Sequence, residues 1–159
     1  MAALPQLLEE DIQQIEICLE DLLTKSDATT ALLVDKAGFL IAKCGNQRQF
    51  DITTIAALAS GAFSASQTIA NLVREKDFNT LYQQGERYSL LIMTVDENCL
   101  LVIIFRASVS VGAVKYFAPA ACAGVAKQLE VARQRNPHAN IDLSALNFSD
   151  PGELFKRKP

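Results

Sequence analysis

The sequence has few of the residues on which catalytic and metal sites depend. Its 159 residues include one histidine, no tryptophan and four cysteines. The cysteines show no CxxC spacing and His138 is far from all of them, so a zinc site is not expected. No GxSxG motif occurs, and no histidine stands near a candidate nucleophile in the chain. These absences argue against hydrolase chemistry and against a bound metal.

Glycine-rich loops and an excess of one charge are also lacking. The seven glycines form neither GxxxxGK[ST] nor GxGxxG, so no loop is suited to cradling a phosphate. The net charge is only −3, and the lysines and arginines are scattered, without a basic face. We therefore predict no cofactor and no nucleic-acid partner.

Long hydrophobic runs are missing too. The N-terminal residues pass into an acidic helical pattern without a basic region, and no stretch of 18 residues is purely apolar. The cysteines lie in or beside apolar runs, as reduced buried thiols do. These features predict a cytoplasmic protein that does not insert into membranes.

The sequence does contain much apolar surface, since half of its residues are hydrophobic. Such a share is high for a globular chain and suggests self-association. The composition becomes mainly polar only near the end of the chain, where prolines and charged residues accumulate. We predict one domain over residues 1–134 and a loosely held polar tail over residues 135–159.

Hydrophobic periodicity and turn residues predict three helices and five strands. The helices cover residues 6–24, 51–76 and 111–133, with a kink or a late start at Pro119. The strands are a hairpin within 29–44 and a meander at 78–83, 87–95 and 99–106. The expected fold is an α/β (α+β) sandwich: a five-stranded antiparallel sheet with the long middle helix on one face and two helices on the other.

The middle helix is the most informative segment because it is long and sparsely charged. The apolar stripe that we expect to face the sheet is Ile52, Ile55, Leu58/Ala59, Ala62, Ile69 and Leu72/Val73. The opposite face is small and nearly uncharged, and its residues are Ala56, Ser60, Phe63, Ser64, Gln67, Asn71 and Arg74. A solvent-facing helix rarely has this composition, so the pattern predicts a protein interface around Phe63. The alternative is that Phe63 and the alanines pack within one protomer.

The strand at residues 78–83 is a second candidate interface. It is short, flanked by turn residues and polar in alternation, as an edge strand is. Its residues Phe78, Thr80 and Tyr82 are predicted to border a two-fold contact with a second copy. The alternative is a protected edge without a role in assembly.

Four segments together resemble the roadblock/LC7 family over about residues 6–134. They are the stretch Ala31–Ala42 (ALLVDKAGFLIA), the Ala/Ser-rich helix, the meander, and Ser110–Lys115 (SVGAVK). Within that family the chain looks most like the bacterial MglB-type regulators, which have a matching turn at Gln84–Arg87. The resemblance implies the profilin-like roadblock fold.

The resemblance also implies a function. It predicts a homodimer whose paired middle helices form a platform for a Ras-like small GTPase of the MglA type, whose hydrolysis of GTP it accelerates without catalytic residues of its own. The site would then comprise the small-residue face and edge strand named above, with no arginine finger. A structural adapter that leaves GTP turnover unchanged is the alternative. A small-molecule sensor is disfavoured because the strands carry few convergent polar residues.

Overall fold

The computed structural model describes residues 3–135, which form three helices and five strands in the predicted order. The elements are α1 Glu9–Ser26, β1 Thr30–Asp35, β2 Leu40–Gly45, α2 Ile52–Leu72, β3 Thr80–Gln83, β4 Tyr88–Thr94, β5 Cys99–Arg106 and α3 Val111–Arg135. Helix α2 ends at Leu72, four residues before the predicted end at residue 76, and Arg74 just beyond it has a left-handed backbone. The hairpin, the meander and the three helices are confirmed.

The strands form one antiparallel sheet in the order β2-β1-β5-β4-β3. Strand β5 lies at its centre, paired with β1 on one side and with β4 on the other. Seven of its eight residues are buried, which agrees with its continuous apolar sequence. Both edges of the sheet, β2 and β3, have one neighbour each among the described residues.

Helices lie on both faces of this sheet, so the predicted sandwich is confirmed. Helices α1 and α3 pack against each other and cover one face, with Ile15, Leu19 and Leu129 fully buried. They approach closely at Gly124, where a Cβ atom would stand 2.8 Å from the Cys18 sulfur. Helix α2 lies on the other face and packs mainly on β1, β2 and β5.

A buried carboxylate joins the start of α1 to the end of α3. Asp11 is fully buried and accepts two hydrogen bonds from the Arg135 guanidinium, at 2.7 and 2.9 Å. It also accepts bonds from the Gln128 amide at 2.7 Å and from the Leu8 N–H at 2.8 Å. The hydrogen bonds from Arg135 hold the pKa of Asp11 well below its usual range, against the opposing effect of burial.

Two sequence expectations need correction in α3. The helix runs without a break from Val111 to Arg135, so the late start at Pro119 is wrong. Pro119 is exposed, which lets water reach the backbone carbonyl that its missing N–H leaves free. Arg135 was predicted to lie in the tail but belongs to the helix, and the rest of the predicted tail, residues 136–159, lies outside the described residues.

Candidate protein-binding surface

Helix α2 begins at a clear sequence signal. The Asp51 carboxylate accepts hydrogen bonds from the Thr54 N–H at 3.2 Å and from the Thr54 hydroxyl at 2.6 Å. This is the N-cap that the sequence predicted. From Ile52 to Leu72 the helix contains no charged residue. A helix on the outside of a protein normally carries charges on its outer face, so α2 is unusual.

The face that α2 turns towards the sheet is the small-residue face. Ala56, Ser60 and Phe63 are 0%, 6% and 4% exposed, and Phe63 belongs to the core cluster with Leu32 and Val102. The prediction that these three residues form an exposed partner face is therefore wrong. The small size of Ala56 and Ser60 is explained by close packing of the helix on the strands, and the Phe63 ring fills the remaining space. Sequence reasoning had left this packing open as the alternative.

Most of the larger aliphatic residues of α2 instead face outwards. Leu58, Ile69 and Leu72 are 69%, 53% and 79% exposed, and Val73 just beyond the helix is 58% exposed. The expectation that these four face the sheet is wrong, because a helix with two apolar faces gives no single answer from periodicity. It is confirmed for Ile52 and Ala59, which are buried in the α2 core cluster. The outward residues of the helix belong to a row along one side, which we call the α2 seam: Ile55, Leu58, Ala62, Ala65, Ile69 and Leu72. The spacing along this row alternates between three and four residues.

Beside the seam, the α2-facing side of the sheet is only partly covered. Ile55, Leu81 and Leu90 are half-buried at the margin of the α2 core cluster. A cleft of about 340 Å³ opens beside Ile55 and Leu90, bordered also by Gln83 and Tyr88. The seam and this cleft meet at Ile55, which belongs to both. Contiguous apolar surface of this kind marks a contact with another protein.

Strand β3 lies at the edge of the sheet, as predicted. Phe78, Thr80 and Tyr82 are half-buried, and the Tyr82 ring stacks on Phe105 with ring centres 6.3 Å apart. The Lys115 ammonium lies 5.7 Å from the centre of the Tyr82 ring. These contacts hold the strand on the side of α3. The outer backbone groups of β3 form no ladder with another described strand, and the strand carries no charge, so it is open to pairing.

The remaining predicted site residues occupy different positions around the end of α2. Ser64 and Asn71 are exposed, whereas Gln67 is half-buried and bonded to the backbone of Phe78. Arg74 is exposed just past the helix and has a left-handed backbone, with φ of 62°. A cleft of about 170 Å³ brings Ser64 and Gln67 together with Ser60 and Phe63, whereas Ala56, Asn71 and Arg74 do not line it. Their role in partner binding stays a prediction.

The described residues offer little for chemistry. They hold no cluster of three or more His, Cys, Asp or Glu side chains suited to a metal ion. Burial raises the pKa of Cys99 to about 12 and that of Cys122 to about 11, which suppresses the reactive thiolate. Within residues 3–135, no helix has the length and hydropathy required to cross a bilayer. The surface described above is suited to contact rather than to catalysis.

The fold and this surface define a family. The Roadblock/LC7 domain model matches residues 14–105, more than half of the chain, and the protein belongs to that family. Among solved structures, it is similar to Myxococcus xanthus MglB, with 29% identity, a TM-score of 0.74, and coverage of 80% of this chain and 96% of that one.

Two further MglB structures show the same likeness. The gliding protein MglB of Thermus thermophilus is 28% identical, with a TM-score of 0.75 and coverage of 82% of this chain and 99% of that one. A structure described as MglB with tetrameric arrangement is 28% identical, with a TM-score of 0.76 and coverage of 83% and 99%. A search of curated proteins found no match. Roadblock/LC7 and MglB-like proteins form regulatory rather than catalytic families, which supports a regulatory role for this chain.

Proposed function

We propose that the chain forms a homodimer that binds a Ras-like small GTPase of the MglA type and accelerates its hydrolysis of GTP. The observation that carries this proposal is the α2 seam, an exposed apolar row on a helix without charges. The MglB relatives supply the kind of partner. The absence of a catalytic constellation in the described residues fits a regulator that rearranges groups of the GTPase itself.

The seam is self-complementary. In an antiparallel pair of α2 helices, Ile55 faces the partner's Leu72, Leu58 faces the partner's Ile69, and Ala62 faces the partner's Ala65. Large residues thus meet large ones at both ends, and small ones meet at the middle, where the axes can approach to about 8 Å. The alternating spacing of three and four residues is that of knobs-into-holes packing. A two-fold axis through the middle of the seam generates all of these contacts.

Strand β3 fits the same two-fold arrangement. If two β3 strands pair antiparallel across this axis, the two sheets become one sheet of ten strands, with both α2 helices on the same face. The end of the partner's α2, with its exposed Leu72 and Val73, then covers the cleft beside Ile55 and Leu90. One two-fold contact would thus cover the cleft and pair the open edge of β3. The outer, uncharged side of the paired helices is the platform proposed for the GTPase.

The test combines assembly and turnover. Light scattering measures the mass of the chain alone and mixed with a Ras-like GTPase of its own organism, loaded with GDP or a GTP analogue. Single-turnover hydrolysis is then followed with and without the chain. We expect a dimer that binds one nucleotide state and speeds hydrolysis at least about tenfold. A complex with unchanged turnover would identify an adapter instead, and a monomer that binds no GTPase would contradict the proposal.

A further inference from the structure

Gln67 makes an unusual contact for a helix residue. Its side-chain amide N–H donates to the Phe78 carbonyl at 2.8 Å, and its amide oxygen accepts from the Phe78 N–H at 3.3 Å. The side chain therefore supplies both backbone partners that an adjacent strand would supply. Phe78 stands two residues before β3, so this pair of bonds connects α2 to the start of the edge strand.

Few other polar contacts hold that part of the chain. In one of them, the Glu75 N–H donates to the Ala70 carbonyl at 2.9 Å. Residues 74–77 and Asn79 are exposed, and Arg74, just past the end of α2, has a positive φ. Strand β3 has only four residues and pairs with β4 alone among the described strands. Both backbone polar groups of Phe78 bond to Gln67. The Gln67 amide is thus the polar link that sets where β3 begins relative to α2.

This relative position matters for a two-fold dimer. In the proposed dimer, one symmetry axis passes through both the α2 seam and β3. Both contacts can form at once only if the distance between the seam and β3 within a protomer is fixed. We propose that Gln67 is a positioning residue that holds β3 in register with the α2 seam, so that both contacts form together. The inference rests on the proposed homodimer. Gln67 then acts through its bonds to Phe78 of its own chain, whereas the sequence predicted that it contacts the partner directly.

Charged groups surround the contact and bear on its test. Clefts on either side of Gln67 are lined by Lys36, Asp77, Asp96 and Glu97. Asp96 is paired with Arg133 at 2.9 Å. The neutral Gln67 amide needs no counter-charge in this setting. A carboxylate in its place would face the Phe78 carbonyl and three other carboxylates.

The first test replaces the amide with an apolar group of similar size. In Gln67→Leu both bonds to Phe78 are lost, and we expect the dimer dissociation constant from sedimentation equilibrium to rise at least about tenfold. Hydrogen exchange at the Phe78 amide should accelerate by a similar factor. The matched control is Gln14→Leu, the same change at an exposed position of α1, which should alter neither quantity. Unchanged dimer affinity in Gln67→Leu would overturn the proposal.

The second test works within a single variant. In Gln67→Glu a protonated carboxyl group can donate to the Phe78 carbonyl and accept from its N–H, as the amide does, whereas the ionised form can only accept. The dissociation constant of this variant, divided by that of the wild type at the same pH, should fall as the pH is lowered from 7 towards about 4.5. Division by the wild-type value corrects for other effects of pH on the dimer. A ratio that does not change with pH would overturn the proposal even if Gln67→Leu does not fold.

Failure of this inference is distinguishable from failure of the proposed function. If the wild type is a monomer, the homodimer is wrong whatever Gln67 does. If the wild type is a dimer and Gln67→Leu weakens it without faster exchange at Phe78, the effect does not pass through this contact and the positioning role is wrong. Faster exchange together with weaker dimerisation supports it.

Discussion

Helices α2 and α3 are both long and lie on opposite faces of the same sheet, yet their outer faces differ in chemistry. Helix α3 carries Lys115, Lys127 and Glu130 on its outer side, and Arg133 pairs with Asp96 at 2.9 Å. Helix α2 has no charge from Ile52 to Leu72, and three of its larger aliphatic residues are more than half exposed. The inner faces of both helices, in contrast, are equally well buried.

The contrast separates two reasons for apolar helix residues. Apolar residues on the inner faces stabilise the protomer, because folding removes them from water. The exposed parts of Leu58, Ile69 and Leu72 on the outer face of α2 stay in contact with water when the protomer folds. Only contact with a second molecule would bury them. Helix α3 does not share this requirement, since its outer face is solvated by charges. The following variants test the contrast, in order of decreasing expected effect.

Truncation of the inner faces should be costly in both helices. We expect Phe63→Ala in α2 to lower the free energy of unfolding by about 4 kcal/mol, and Leu129→Ala in α3 by about 3 kcal/mol, because each leaves a cavity. Urea unfolding at one protein concentration measures both. A loss below about 1 kcal/mol for Phe63→Ala would mean that Phe63 is not a core residue and would restore the surface role expected from sequence.

Charges on the outer faces should separate the two helices. Ile69→Glu places a carboxylate in the middle of one half of the α2 seam, and we expect the dimer to weaken at least about 100-fold, since the charge would be buried without a partner. Val131→Glu makes a similar change at an aliphatic residue of α3 that is 44% exposed, and should have no effect on assembly. Sedimentation measures both, and circular dichroism checks the fold. Equal effects in the two variants would remove the distinction between the helices.

The buried Asp11 should make the α3 side sensitive to acid. Its pKa is lowered in the folded state, so its stabilising effect is present above the unfolded pKa of about 3.9 and is lost as the pH falls through the lower folded pKa. Asp11→Asn should reduce the melting temperature by about 5 °C at pH 7, and by less below about pH 4. Asp21→Asn, in an exposed pair with Lys25, is the control and should change it by less than about 1 °C. A constant difference across pH would show that the charge of Asp11 is unimportant.

The start of α2 should give the smallest effect. Asp51→Ala removes the acceptor for both Thr54 bonds, and we expect the melting temperature to fall by about 2 °C. Asp51→Asn retains a side-chain acceptor and should recover most of the loss. Calorimetry of both variants is sufficient. A larger loss in Asp51→Asn than in Asp51→Ala would exclude capping as the cause.

Much of the fold was predictable because local signals agreed with the final structure. Strand β5 is apolar throughout and is central, Gly38 permits the hairpin turn with φ of 101°, and Asp51 caps α2. Each of these features acts over a few residues. The late start of α3 offered at Pro119 was wrong, because an exposed proline is tolerated in a helix whose tertiary contacts lie elsewhere.

The candidate interface was less predictable. An uncharged helix predicted a contact with another protein, but three of the residues assigned to that contact, Ala56, Ser60 and Phe63, are buried against the sheet. Leu58 and Ile69 are larger than Ala56 and Ser60, so hydrophobicity alone places them in the core. The deciding factor is the distance between helix and sheet, which is a property of the tertiary structure. The spacing from Ile55 to Leu72 was visible in the sequence, but it does not say which of two apolar faces meets the chain's own sheet.

The two edges of the sheet also set a limit on growth. Strand β2 carries the exposed Lys43, pairs with β1 through an irregular register between Leu33 and Val34, and ends at Gly45 with φ of 94°. These are features that discourage further strand pairing. In the terms of polymer chemistry, such a protomer would have a single reactive end. Strand addition at β3 would stop at two copies, and a larger assembly would need contacts through the helices.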